Sequence, residues 1–160
     1  MSKFRVLKVL SVCSLLVSSA ATAATTGTIT LGGTVTTTLE VTVTDTAGAS
    51  ALNLSAGEKI AQVADLAMTT NNDQGLTLTA SSGDLTKAGG QPISFQTTTV
   101  ADGAAAPLAA GFLIASGTNY TVGTVAAGSV LKDVYIMYTP AASQDPGAYG
   151  GTISLTVSDN

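Results

Sequence analysis

Nucleophilic catalysis by a serine or cysteine needs a base within hydrogen-bond reach, and histidine is the usual one. This chain of 160 residues has no histidine, and its one cysteine, Cys13, sits near the start. Zinc and haem ligand sets are missing for the same reason. No Gly-x-Ser-x-Gly, phosphate-binding or dinucleotide fingerprint occurs. Two carboxylates could still cleave a glycosidic bond as acid and base. The 10 acids, however, fall singly along the chain, mostly beside turn residues, and read as solvated charges. Asn71-Asn72-Asp73 offers oxygens to calcium without the EF-type spacing, and a turn accounts for it. Asn53-Leu54-Ser55 and Asn119-Tyr120-Thr121 match a glycosylation sequon, a pattern short enough to arise by chance. Four Tyr and three Phe, with no Trp, read as core or subunit contacts before they read as a sugar platform. The expectation is a chain that is not an enzyme and holds no cofactor or metal.

The chemistry that remains is that of the backbone and its apolar side chains. Lys3, Arg5 and Lys8, the apolar run Val9–Val17, and Ala21-Thr22-Ala23 have the order of a secretory signal. Cleavage is expected after Ala23, with Ala20 as second choice. The apolar run is too short to span a bilayer. A lipoprotein reading of Cys13 fails on Val12, where a small residue is needed. Removing residues 1–23 leaves 137 residues of the 160, enough for one core. Three lysines (Lys59, Lys87, Lys132) then stand against ten acids, a net charge of −7. Such a chain is a poor partner for nucleic acid or an anionic membrane. With no cysteine after Cys13, no disulfide framework is available.

Thr- and Val-rich alternation runs through the rest. Ile29, Leu31, Gly33 and Val35 take one face of an extended segment, Thr28 to Val35. Leu39, Val41 and Val43 alternate with Thr38, Glu40, Thr42 and Thr44, which predicts a strand with the first three inward and the other four outward. Asp45 to Ser50 reads as a turn, and Leu52 and Leu54 as a short strand. Glu58–Thr70 fits two periods: a helix with Ile60, Val63, Ala64 and Ala67 on one face, or a strand over Ala64–Thr70. The strand is favoured, because Ser55 is the sole N-cap on offer. Further strands are expected at 76–79, 92–96, 111–114, 119–125, 129–138 and 149–157. Ser81–Gln91, Val100–Ala110 and Pro140–Gly147 read as loops. The strand at 129–138 is apolar on both faces, as a strand covered on both sides would be. Seven to nine short strands at regular spacing predict an all-β, antiparallel sandwich of immunoglobulin-like type.

The two ends of the secreted chain together resemble a chaperone–usher pilin subunit. Thr28 to Val35 is similar to the N-terminal extension of that family, with Ile29, Leu31, Gly33 and Val35 at the matching positions. Pro146 to Val157, with Gly147 and Tyr149 before an alternating run, is similar to its C-terminal strand. The resemblance covers about a sixth of the chain after residue 23. It implies a sandwich that lacks its last strand and is completed by a donated one. The division would be 1–23 signal, 24–36 donor extension and 37–160 domain. Ile29, Leu31 and Val35 would fill pockets in a neighbour, with Gly33 at a close approach. Tyr149, Ile153, Leu155 and Val157 would line the acceptor groove and pair with a chaperone strand. The implied partners are copies of the chain, a periplasmic chaperone and an outer-membrane usher. The implied route runs across the inner membrane to the periplasm and the cell surface, where a fimbria serves adhesion or biofilm formation. The absence of a second cysteine departs from the disulfide-bearing pilins and points to cysteine-free types or relatives of spore-coat-like secreted β-proteins. No separate lectin domain is present, which suits a shaft subunit.

Two other readings stand beside this one. In the first, Thr28–Val35 pairs within its own sheet, and the chain is a complete sandwich of a biofilm matrix or surface coat. In the second, it is a carbohydrate-binding module. The charged content of 10% favours a surface covered by neighbours.

Overall fold

The computed structural model describes residues 28–160. The expected signal segment lies outside them. Residues 28–34 carry no helix or strand, and Val35–Asn160 is a compact unit of its own. That unit is all-β and antiparallel throughout, with two sheets closing on one core.

The Thr/Val alternation after Thr38 forms β1 (Leu39–Asp45). The turn expected next is a single helical turn, α1 (Ala47–Ser50). Gly48 permits it, because a Cβ there would collide with the backbone oxygen of Gln62. The stretch with two competing periods is one long strand, β2 (Lys59–Thr70). A bulge between Gln62 and Ala64 shifts the register and turns both Val63 and Ala64 inward. Two adjacent inward residues break the period of two, which is why a helical face could be drawn through them.

β3 (Leu76–Ala80) follows, with Leu76, Leu78 and Ala80 buried. The segment read as a loop, Ser81–Gln91, contains a short strand, β4 (Gly83–Leu85). Three residues with Leu85 as the single buried anchor are too few to show an alternation. β5 (Ile93–Ala101) is longer than its prediction. No strand forms at 111–114. A 3-10 turn occupies Ala109–Gly111, and Phe112 is buried alone. Leu52 and Leu54 likewise form no strand and pack half-buried against the core. β6 (Tyr120–Gly123), β7 (Gly128–Tyr138) and β8 (Leu155–Asp159) complete the chain. The last strand was expected from Tyr149. It forms only from Leu155, and upstream of it the chain makes one bridge, Gly150 to Thr86.

The larger sheet runs β1-β2-β7-β5-β4 and the smaller β6-β3-β8. Leu66, Met68, Phe95, Val134 and Ile136 of the first meet Leu76 and Leu78 of the second. Burial of each such side chain contributes about 1.5–3 kcal/mol. β7 is central and, from Asp133 on, covered on both faces as its sequence predicts; Leu131 on the outer face is 54% exposed. Val134, Ile136 and Tyr138 face the core, while Asp133 and Tyr135 are buried on the opposite face. The loop after β5 provides the second cover: Gly103 N donates to Asp133 Oδ2 at 3.1 Å, and Gln96 Nε2 donates to Ile114 O at 2.7 Å.

Candidate strand-accepting cleft

Among the described residues the sandwich has four edge strands, and two of them flank an unpaired gap. β1 ends the larger sheet and β8 the smaller, and they lie beside one another without pairing. The register shows what each edge presents. Thr46 N bonds to Val63 O and Asn71 N to Thr38 O, so Glu40, Thr42 and Thr44 are the residues of β1 bonded to β2. The N–H and C=O groups of Leu39, Val41 and Val43 therefore point away from β2. On β8, Asn160 N bonds to Gly75 O and Ser81 N to Ser154 O. By the same alternation Leu155 and Val157 direct their backbone groups to the side away from β3, where no described residue pairs with them.

The side chains of these residues belong to the core. Val41 stands opposite Met68 and Val43 opposite Leu66, and directly opposed residues share a face. Met68 and Leu66 are 1% and 2% exposed, yet Val41 and Val43 are 37% and 43% exposed. Leu155 and Val157 oppose the fully buried Ala80 and Leu78 and are themselves half-buried. Core-facing residues on both strands thus lack cover on one flank. The inward placement predicted for Val41 and Val43 is right in direction; their burial is incomplete.

Between these flanks is a cleft of about 390 Å³. Val43 and Asp45 form one wall, and Tyr149, Ile153 and Leu155 the other; Val63, Phe95 and Ile136 lie between. One end is tied shut. Leu39 pairs with Thr70, whose hydroxyl donates to Asp159 Oδ1 at 2.6 Å. The other end, at Asp45 and Tyr149, is open, and Tyr149 is braced there by Gln144 Nε2 on its hydroxyl at 2.7 Å. The remaining edges are short, and that of β4 is partly occupied. β6 spans four residues, Ser116 Oγ donates to Gly83 O of β4 at 3.0 Å, and Thr86 bridges Gly150.

Of the residues singled out in the sequence, Tyr149, Ile153 and Leu155 line the cleft, while Val157 packs on the core beyond it. Ile29, Leu31 and Val35 are 86%, 89% and 86% exposed, and no atom lies within 4 Å of where a Cβ on Gly33 would stand. The sequence reading missed the cleft residues Val63, Leu85, Phe95 and Ile136, which come from four strands. Only the adjacent inward pair Val63-Ala64 carried a local signal, that of the bulge. The oxygens offered by Asn71 and Asn72 serve the chain itself: Asn71 Oδ1 accepts from Thr38 N, and Asn72 Oδ1 from Gln74 N, both at 2.9 Å.

Two buried phenols carry shifted acidities. Burial pushes Tyr135 upward, and the carboxylates of Asp133 and Asp65 add to it. Burial also raises Tyr138. Comparison with family models, with curated proteins and with solved structures finds no match to this chain.

Proposed function

We propose that this chain is the structural subunit of a surface filament, a pilus or fimbria, that polymerises by strand donation. Residues 28–35 of one copy enter the cleft between β1 and β8 of the next. One observation carries the reading: core-facing Val41 and Val43 are more than a third exposed and Leu155 is only half-buried, on two strands whose facing backbone edges are unpaired among the described residues. A missing strand has these two signatures together. Backbone bonding to the free edges supplies affinity, and alternate side chains fix the register.

The exposed side chains of Ile29, Leu31 and Val35 suit the occupant's role. Each would gain about 1.5–3 kcal/mol on full burial, before the losses of association are counted. The donor and the acceptor are different surfaces, so the contact is head-to-tail and gives an open filament. On this reading the sandwich is immunoglobulin-like and incomplete. A periplasmic chaperone occupies the cleft before assembly, an outer-membrane usher exchanges it, and the filament stands on the cell surface in adhesion or biofilm.

The test uses the chain from residue 24 onward. The wild-type chain is expected to give a ladder of polymers that resists mild detergent. A chain with Ile29→Asp and Leu31→Asp is expected to stay folded and monomeric. A synthetic peptide of residues 24–37 should then raise that variant's thermal midpoint by several degrees, as about 2.7 kcal/mol of ligand stabilisation at 100 times Kd would. A wild-type chain that stays monomeric, with a variant indifferent to the peptide, would sink the reading.

A further inference from the structure

Strand donation needs the extension to choose a second copy over its own cleft, and the chain entering β1 carries a feature that bears on this choice. Asn71, the first residue after β2, grips that entry at three points. Its Oδ1 accepts from Thr38 N at 2.9 Å, its Nδ2 donates to Thr36 O at 2.8 Å, and its own N donates to Thr38 O at 3.1 Å. The side-chain amide stands in for one more peptide unit of β2. It keeps Thr36–Thr38 in line with β1.

Thr36–Thr38 is also the whole link between residues 28–35 and β1. Suppose these three residues turned instead, as three-residue hairpin loops do, at the cost of one β-branched Thr in the left-handed region that such a loop gives to glycine. Counting outward from the loop, Val35 would face Leu39, Gly33 would face Val41, Leu31 would face Val43, and Ile29 would face Asp45. The partners on β1 are the residues with free backbone groups and core-facing side chains. With the Thr70–Asp159 bond at that end opened, the extension would then sit in its own cleft with its apolar face inward, and polymerisation would stop. With the grip closed, the turn has to move upstream, and Gly32-Gly33 is the pair able to make it. Leu31 would then face Thr34, and Ile29 would face Thr36. Both fall short of β1.

We propose that Asn71 is the positioning residue that reserves the extension for a second copy, by denying Thr36–Thr38 the turn that self-insertion requires. This inference rests on the strand-donation reading above.

The experiment compares the wild-type chain from residue 24 with Asn71→Ala, which loses both side-chain bonds, and Asn71→Asp, which keeps the acceptor for Thr38 N. Polymer yield and hydrogen exchange at the amides of residues 29–35 are measured, with the thermal midpoint as a check on folding. Wild-type monomers should exchange these amides freely, and polymers should protect them. Asn71→Ala should give monomers in which they are protected, with the ratio of polymer to monomer down about tenfold, the effect of losing bonds of this kind. Asn71→Asp should fall between, and it carries the test should the alanine variant not fold. Variants that polymerise like the wild type, with monomers still in free exchange, would overturn the role of Asn71 and leave strand donation standing. A wild-type chain that forms no polymer would remove both.

Discussion

At the scale of single residues, the two shifted phenols make stability depend on alkaline pH. Tyr135 and Tyr138 both lie above the ordinary value of 10.0, because burial disfavours the phenolate. Between the unfolded and the folded value the native state holds protons that the unfolded state has released. Their contribution is therefore complete below about pH 10 and is lost as pH rises through the folded values. Denaturant titrations at pH 7 and pH 10.5 should show lower stability at the higher pH. Tyr138 also donates from its hydroxyl to Asn53 O at 3.3 Å, which only the neutral phenol can do. Tyr138→Phe should cost about 0.5–1.5 kcal/mol at pH 7 and narrow the difference between the two pH values. An unchanged difference would mean that Tyr138 does not titrate within this window.

At the scale of elements, the open flank gives β1 a property that a finished sandwich denies its core strands. Val43→Asp places a charge at a position 43% exposed in the single subunit, and it should cost about 1–2 kcal/mol, from strand propensity and the burial lost. The same change at Val134, 1% exposed on β7, buries an unpaired charge and should prevent folding. Val43→Asp should nonetheless block polymer growth, since an inserted strand would cover it. Chemical denaturation paired with a polymerisation assay separates these effects, and a variant that polymerises normally would show that β1 does not border the occupied groove. The legibility of each element follows the same physics. β1, β3 and β7 could be read directly, because no extra residue interrupts the alternation of their own side chains along the pairing. β2 showed two periods because a bulge sits within it. β4 was too short to show a period, and at Phe112 a single apolar residue is buried without a strand. The alternation from Tyr149 to Val157 suggested a longer last strand than β8. Through Ser154 that segment follows the crossing from β3 to β4, where Ser81 and Thr86 take its bonds. Half of the cleft was visible as the alternating Tyr149, Ile153 and Leu155. The floor was not, because Val63, Phe95 and Ile136 meet only through pairing distant in sequence.

At the scale of the whole molecule, charge and the open flank act against each other. Residues 28–160 hold three lysines and ten acids, so two copies approach as bodies of charge −7 each. The segment that makes the proposed contact, Thr28 to Val35, is uncharged, but it brings a like-charged domain with it. The cleft adds Asp45 at its open end and Asp159 at its tied end. No basic side chain stands in Thr28–Val35 or lines the cleft, so attraction there is apolar and through the backbone, while the long-range term is repulsive. Salt therefore acts in the direction opposite to electrostatically steered association. Raising ionic strength from 0.01 M to 0.15 M shortens the screening length from about 30 Å to about 8 Å, below the size of the domain. Polymer growth from the chain beginning at residue 24 should accelerate across that range. Dissociation, governed by the buried strand, should change little. Light scattering at a series of sodium chloride concentrations measures the first, and dilution of preformed polymer the second. Growth that slows with salt would mean that a cation outside the segment and the cleft lining, the terminal amine at residue 24 or Lys87 near Tyr149, makes a complementary contact.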